Sequence, residues 1–311
     1  MNRKLVRQGT STLMISLPAA WIKHFHLTKG CEVDVNWYGN DLSISAKGIK
    51  EKKEYHLKLE SNLDSVIRTL ISNPYREGYD IIHITFDSES QYALLQKTLS
   101  TRLIGFEIIK REKNHCIVEN VTEPSGDQFD NILRKQFLTI REGIGLVRNR
   151  LEGKKDFNFD DAIEEIAART HKYDNFCRRS LIKQQTKNHP EMLWAFLSHI
   201  QHGFREIYFL NSIIKDKADE RVLMLCNDAL KTISLIEEMY FERKVENMIE
   251  LHKIERSLLH DKVVQLLTSN SQGAYVHFLL NSIRTFYLAN SPIFGYLISA
   301  QQSFGPSGKW K

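Results

Sequence analysis

A change of hydrophobic period near residue 127 constrains this chain more than any other feature. Upstream, apolar and polar residues alternate at a period of two in short runs, separated by turns and brief helical stretches. Downstream, apolar residues recur every three to four positions through most of what remains of the 311 residues. Alternation suits half-buried strands, and the longer period suits helices with one buried side. The expected fold class is therefore α+β and multidomain, with a β-rich head over 1–50, a small α/β domain over 54–122 and an all-α domain over 127–303.

In the all-α part, Ile132, Leu133, Phe137, Ile140 and Ile144 form one apolar stripe. Similar stripes run over Asp160–Lys183, Met192–Lys215, Arg221–Phe241, Val245–Leu267 and Ala274–Leu297. Glu152-Gly153-Lys154 and Asn188-His189-Pro190 mark loops between them. Six helices in two sets of three, about 127–215 and 220–301, is the expected count. A shift of 79 residues lays Arg205-Glu-Ile-Tyr208 on Arg284-Thr-Phe-Tyr287, Asn211-Ser212 on Asn290-Ser291, and Ala195 on Ala274. These matches suggest an internal repeat.

The middle segment reads strand, helix, strand, helix, strand, strand. Its strands are Tyr55–Leu59, Tyr79–Phe86, Phe106–Arg111 and Cys116–Val121, and its helices are Leu63–Ser72 and Ser90–Thr101, with Asn73-Pro74 stopping the first. Gly78 and Gly105 are isolated turn residues, so no phosphate-binding glycine loop is expected. Asp80, Asp87 and Glu89 read as solvated strand ends.

The head carries the chain's charge. Residues 1–53 hold nine Lys or Arg against four Asp or Glu, an excess of five that equals the excess of the whole chain. Such localisation is the footprint of a polyanion-binding element on a neutral body. Leu13, Ile15 and Leu17 alternate over 12–17. Pro18 suits the first turn of a helix striped by Trp21, Ile22 and Phe25. Val33, Val35 and Trp37 face a turn signal at 38–41, and Leu42, Ile44 and Ala46 return from it.

This order, with SLPAAWI followed by LTKGCEV, resembles the AbrB/SpoVT/MazE family of swapped-hairpin DNA-binding domains over residues 3–48. The resemblance implies that hairpins from two chains interleave, giving a homodimer through the N-terminal domain. It also implies DNA contact through Arg3, Lys4 and Arg7 of the leading strand and Lys23 of the helix. The hydroxyls of Thr10, Ser11 and Thr12 are suited to phosphate oxygens, which fix register without reading sequence. MazE-like antitoxins end in a disordered tail, whereas this chain continues into folded regions.

The tandem three-helix sets resemble PhoU, the phosphate-uptake regulator. PhoU repeats carry Glu-x-x-x-Asp on the third helix, where carboxylates one turn apart hold a metal. The matching positions here begin at Arg205 and Arg284 and end at Phe209 and Leu288, so no metal is expected. Arg205 and Arg284 are expected to stack on Tyr208 and Tyr287. The acidic pairs Asp161/Glu165, Glu238/Glu242 and Glu246/Glu250 read as exposed helix faces, and His199/His202 as a polar helix edge.

No nucleophile elbow, Walker loop, zinc-protease helix or dinucleotide fingerprint occurs, so no enzyme and no cofactor is expected. Asp174, Cys177 and Arg178 share a face, but no motif sets a base beside the thiol. Cys31, Cys116, Cys177 and Cys226 form no CxxC pair, and no leader or membrane-spanning run is seen, so a reducing cytoplasm is the expected location. Together these readings point to a dimeric regulator that binds double-stranded DNA, tied by the PhoU resemblance to phosphate uptake. The alternative is an adaptor that uses the head only to dimerise and docks on a phosphate transporter or sensor.

Overall fold

The computed structural model describes residues 2–38, 41–46, 52–122, 128–155, 157–184, 189–268 and 272–302. Met1–Lys52 and Lys53–Lys311 form two separate compact units, the head and the body. The chain is mixed α+β, and helices dominate it.

In the head, β1 (Val6–Gln8) and β2 (Thr12–Met14) form an antiparallel hairpin, followed by α1 (Ala19–His24) and by the antiparallel pair β3 (Val33–Tyr38) and β4 (Asp41–Ala46). The expected strand over 12–17 is thus shorter. Ile15 to Pro18 lead into α1, and the Pro18 carbonyl accepts the first helical bond from Ile22 N–H at 3.0 Å. Val33 lies opposite Ala46, Val35 opposite Ile44 and Trp37 opposite Leu42, so the alternating apolar residues of both strands share one face. The turn signal between them includes residues 39 and 40, which lie outside the described residues.

The body opens with a four-stranded sheet ordered β5 (Glu54–Lys58), β6 (Ile81–Thr85), β8 (His115–Asn120), β7 (Phe106–Arg111). The β5–β6 pair is parallel and is joined through α2 (Asp64–Arg76). The pairs β6–β8 and β7–β8 are antiparallel, and α3 (Glu89–Arg102) connects β6 to β7. Ser88 caps α3 by accepting from Gln91 N–H at 3.3 Å. Leu57, Ile82, Ile84, Cys116 and Val118 bury one sheet face together with Ile67, Ile71 and Leu95 of the two helices. The element order is as expected, but α2 runs past Asn73-Pro74 to Arg76. Pro74 lies in the final turn, where losing one N–H costs a single ladder bond. It is also buried, so packing holds the turn.

The remaining helices are α4 (Gln128–Leu151), α5 (Phe159–Gln184), α6 (Pro190–Ile213), α7 (Glu220–Phe241), α8 (Asn247–Glu255), α9 (Val263–Thr268), α10 (Gly273–Leu288) and α11 (Asn290–Gln302). They share one core, in which Phe129, Phe137, Phe196, Phe204 and Phe286 are the largest fully buried rings. α4 ends at Gly153, whose φ of +83° continues the turn through a left-handed residue. Asp219 caps α7 by accepting from Val222 N–H at 3.0 Å.

Two of the six expected helices are interrupted. The stretch Val245–Leu267 divides at a π-helical segment, Arg256–Asp261, where Lys262 N–H bonds the Ser257 carbonyl at 3.2 Å. Leu251, Ile254 and Leu258 face the core, and an unbroken α-helix would next direct Lys262 and Gln265 inward. The wider turn shifts the phase so that Val263 and Leu266 pack there instead. The stretch Ala274–Leu297 is interrupted at Ala289, because Pro292 has no N–H to offer the Leu288 carbonyl.

Ser282 Oγ donates to the Gly203 carbonyl at 2.9 Å, and these two residues are shift-equivalents on α10 and α6. Gly203 has no room for a Cβ beside the Phe286 ring, so glycine permits this close helix crossing.

Candidate nucleic-acid interface

The β1–β2 turn gathers four of the seven residues expected to meet DNA. Arg7 lies in β1, Thr10 and Ser11 follow the left-handed Gly9 (φ +73°), and Thr12 opens β2. Arg7 Nη2 donates to the Thr10 carbonyl at 2.8 Å, which holds the guanidinium at the hairpin tip. Arg3 and Lys4 lie on the segment leading into β1. Lys23 is on α1, and no hydrogen bond or ion pair ties it to the hairpin among the described residues. All seven are exposed, and Arg3, Lys4, Arg7 and Lys23 form no ion pair among the described residues. A cation without a carboxylate partner keeps its full charge for a phosphate. Lys47 and Lys50, part of the same charge excess, lie outside the described residues.

No described side chain of the head is buried. Leu13, Val35 and Leu42 remain 60%, 55% and 59% exposed, while Trp21, Ile22 and Phe25 of the expected stripe are only half-buried.

Elsewhere the structure redistributes several expected roles. Asp80 is not a solvated strand end. It is buried, accepts from Arg179 Nη2 at 2.8 Å, and is paired with Lys183 of α5. Burial alone would raise its pKa, but the Lys183 hydrogen bond and the Lys53 N–H hold the carboxyl below its usual range. Asp87 and Glu89 are exposed as expected, facing Lys58 at 3.8 Å and Arg111 at 2.5 Å. Hydrogen bonds from Arg179 to the Tyr75 and Tyr79 carbonyls, and from Asn175 to the Arg102 carbonyl, also join the sheet layer to α5. Asp174 likewise serves structure, accepting from Arg178 Nε at 2.9 Å in a buried setting.

Arg205 does not stack on Tyr208. Side chains on a helix lean toward its N-terminus, and the Phe209 ring one turn on meets the guanidinium at 5.2 Å. Tyr208 instead donates to Glu164. Tyr287 meets the His252 ring nitrogen at 2.9 Å, and no ring contact of Arg284 is found among the described residues. Glu238 and Glu242 both pair with Lys244, and Glu250 pairs with Lys231 at 2.6 Å, as exposed helix faces do. His199 and His202 gain no third ligand among the described residues. Burial pushes the thiols of Cys116 and Cys226 up to about 11 and about 12, so neither is a thiolate at neutral pH.

One cluster escaped sequence reasoning on the strands. Glu54, His56 and His83 bring three ligand-type atoms within 4.8 Å of one another on the sheet face away from α2 and α3. His83 lies directly across from His56, and its ring is 3.1 Å from the Glu54 carboxylate. Only the β5–β6 register reveals this set, because His83 lies almost thirty residues beyond Glu54 in the chain.

No protein-family model matches this chain, and neither a curated protein nor a solved structure does. Among the described residues, no helix is long and apolar enough to cross a membrane.

Proposed function

We propose that the chain is a dimeric DNA-binding regulator whose head pairs with the head of a second copy and lies along a duplex. The carrying observation is that the head leaves all its described side chains unburied, although both hairpins present apolar residues. Small two-stranded hairpins are marginal alone, and interleaving two copies would remove Leu13, Val35 and Leu42 from water. The exposed set Arg3, Lys4, Arg7, Thr10, Ser11, Thr12 and Lys23 then supplies cations and hydroxyls for backbone phosphates. The connection to phosphate uptake rests on the resemblance of the helical tail to PhoU.

A fluorescence-anisotropy titration against duplex DNA over a range of salt tests this. Two heads with four basic groups each should give a log–log slope steeper than about −4. Replacing Arg3, Lys4 and Arg7 together with Ala should abolish retention while sedimentation still shows the dimer. A parent protein that never retains DNA overturns the reading in favour of an adaptor that uses its head only to dimerise.

A further inference from the structure

The body contains a cleft of about 440 Å³ where α2 and the end of α3 meet α5 and α6. Four guanidinium groups line it, those of Arg68, Arg76, Arg102 and Arg205, against a single carboxylate, Glu164. Two of the four are anchored by acids of their own helix or of α5. Arg68 pairs with Asp64 at 3.2 Å, and Arg76 reaches Asn175 Oδ1 at 2.7 Å and Asp174 at 3.4 Å. The other two lack such anchors. Neither Arg102 nor Arg205 has a carboxylate within ion-pair distance among the described residues, and Arg102 Nε is buried with no hydrogen-bond partner. Glu164, the one acid among the described residues of the lining, accepts from the Tyr208 hydroxyl, and its charge with that of Asp64 offsets only part of the cost to Arg102.

Arg205 is exposed, but Arg102 is an unpaired, partly buried guanidinium beside the like charge of Arg68, which is costly and persists only where something offsets that cost. The field is felt by its neighbours. Burial, reinforced by Arg68, pushes the Arg102 guanidinium down to about 10. Burial and the same arginines push the His171 ring well below its ordinary value, so it stays neutral and donates or accepts a hydrogen bond rather than adding charge. Phe204 and Phe209 supply apolar wall beside these donors. The volume falls within the range of about 300–1,000 Å³ typical of sites that enclose a whole small organic ligand.

We infer that this cleft binds a small phosphate ligand bearing at least two negative charges, a nucleotide or an inorganic polyphosphate, with Arg102 and Arg205 as its principal unpaired donors. Planar guanidinium forks match phosphate oxygens in bidentate geometry, which a set of lysines would not. Nothing in this assignment depends on the head, so it stands or falls separately from DNA binding.

The test is isothermal titration of the full chain in phosphate-free buffer with ADP and with inorganic diphosphate, and with adenosine as the neutral control. Both anions should bind and adenosine should not. Arg102→Gln and Arg205→Gln should each weaken ADP binding at least tenfold, whereas Arg141→Gln, remote on α4 and paired with Glu237 at 3.0 Å, should leave it unchanged. The ligand-free melting temperature of Arg102→Gln should equal or exceed that of the parent, since the change removes a charge that burial and Arg68 oppose more than Asp64 and Glu164 support. Absence of binding by both anions at millimolar concentration overturns the inference, as does binding that survives both substitutions. A ligand-free Arg102→Gln protein that melts well below the parent also overturns it, by making Arg102 a structural residue.

Discussion

Head and body use the same apolar chemistry with opposite outcomes. In the body, Phe137, Ile140 and Ile144 repeat at helical spacing and vanish completely from solvent. In the head, Leu13, Val35 and Leu42 repeat at strand spacing, yet each stays more than half exposed. The difference is one of partner surface. A 24-residue helix such as α4 finds α5, α6 and α7 in its own chain, whereas among the described residues the head's two short hairpins and single turn-and-a-half of helix offer no second layer. Burial therefore completes within the body, and the proposed second copy would complete it for the head.

The largest effect that bears on this contrast is expected from Asp80→Asn. It would leave Arg179 and Lys183 without their buried carboxylate and should cost about 3–5 kcal/mol of body stability in urea unfolding. Sedimentation of the folded protein should be unaltered. A cost confined to the head's transition would erase the distinction between a self-sufficient body and a dependent head.

Val35→Asp should act in reverse. It sets a charge on the apolar face opposite Ile44, and it should convert a two-chain mass to a one-chain mass while the body's far-ultraviolet signal persists. A head that still sediments as a dimer would mean that this face is not the contact. The smallest effect is a slope. The folded state holds the His171 pKa below the unfolded value of about 6.5, so the folded chain binds fewer protons there. Stability should be full above that pH and fall as pH drops from 7 toward 5. His171→Gln, which can retain a hydrogen bond to Gln201, should flatten part of that fall in melting temperature.

Sequence reading recovered the order of elements in the sheet layer nearly residue by residue, because alternation at a period of two survives burial of one face. It also placed the Gly153 break, where a left-handed residue is required. It failed at Asp80, whose neighbours Tyr79 and Ile81 give no sign that Arg179 and Lys183, a hundred residues later, will arrive to bury it. Val245–Leu267 reads as one helix by its apolar stripe, and the stretch contains no Pro or Gly to mark the break. The phase shift there arises from which side the core lies on, not from local propensity. The seven head residues expected to contact DNA are exposed, and exposure alone says nothing about what they touch.

Hydrophobic period, charge localisation and turn residues settled the classes of element, their sequence and the basic character of the first fifty residues. These are properties of neighbouring residues and of backbone geometry, and the amino-acid order states them directly. The convergence of Arg68, Arg76, Arg102 and Arg205 on one cleft, the burial of Asp80 and the Glu54–His56–His83 set belong to the tertiary structure alone. Each depends on the register and packing of elements far apart in the chain, which local pattern cannot encode.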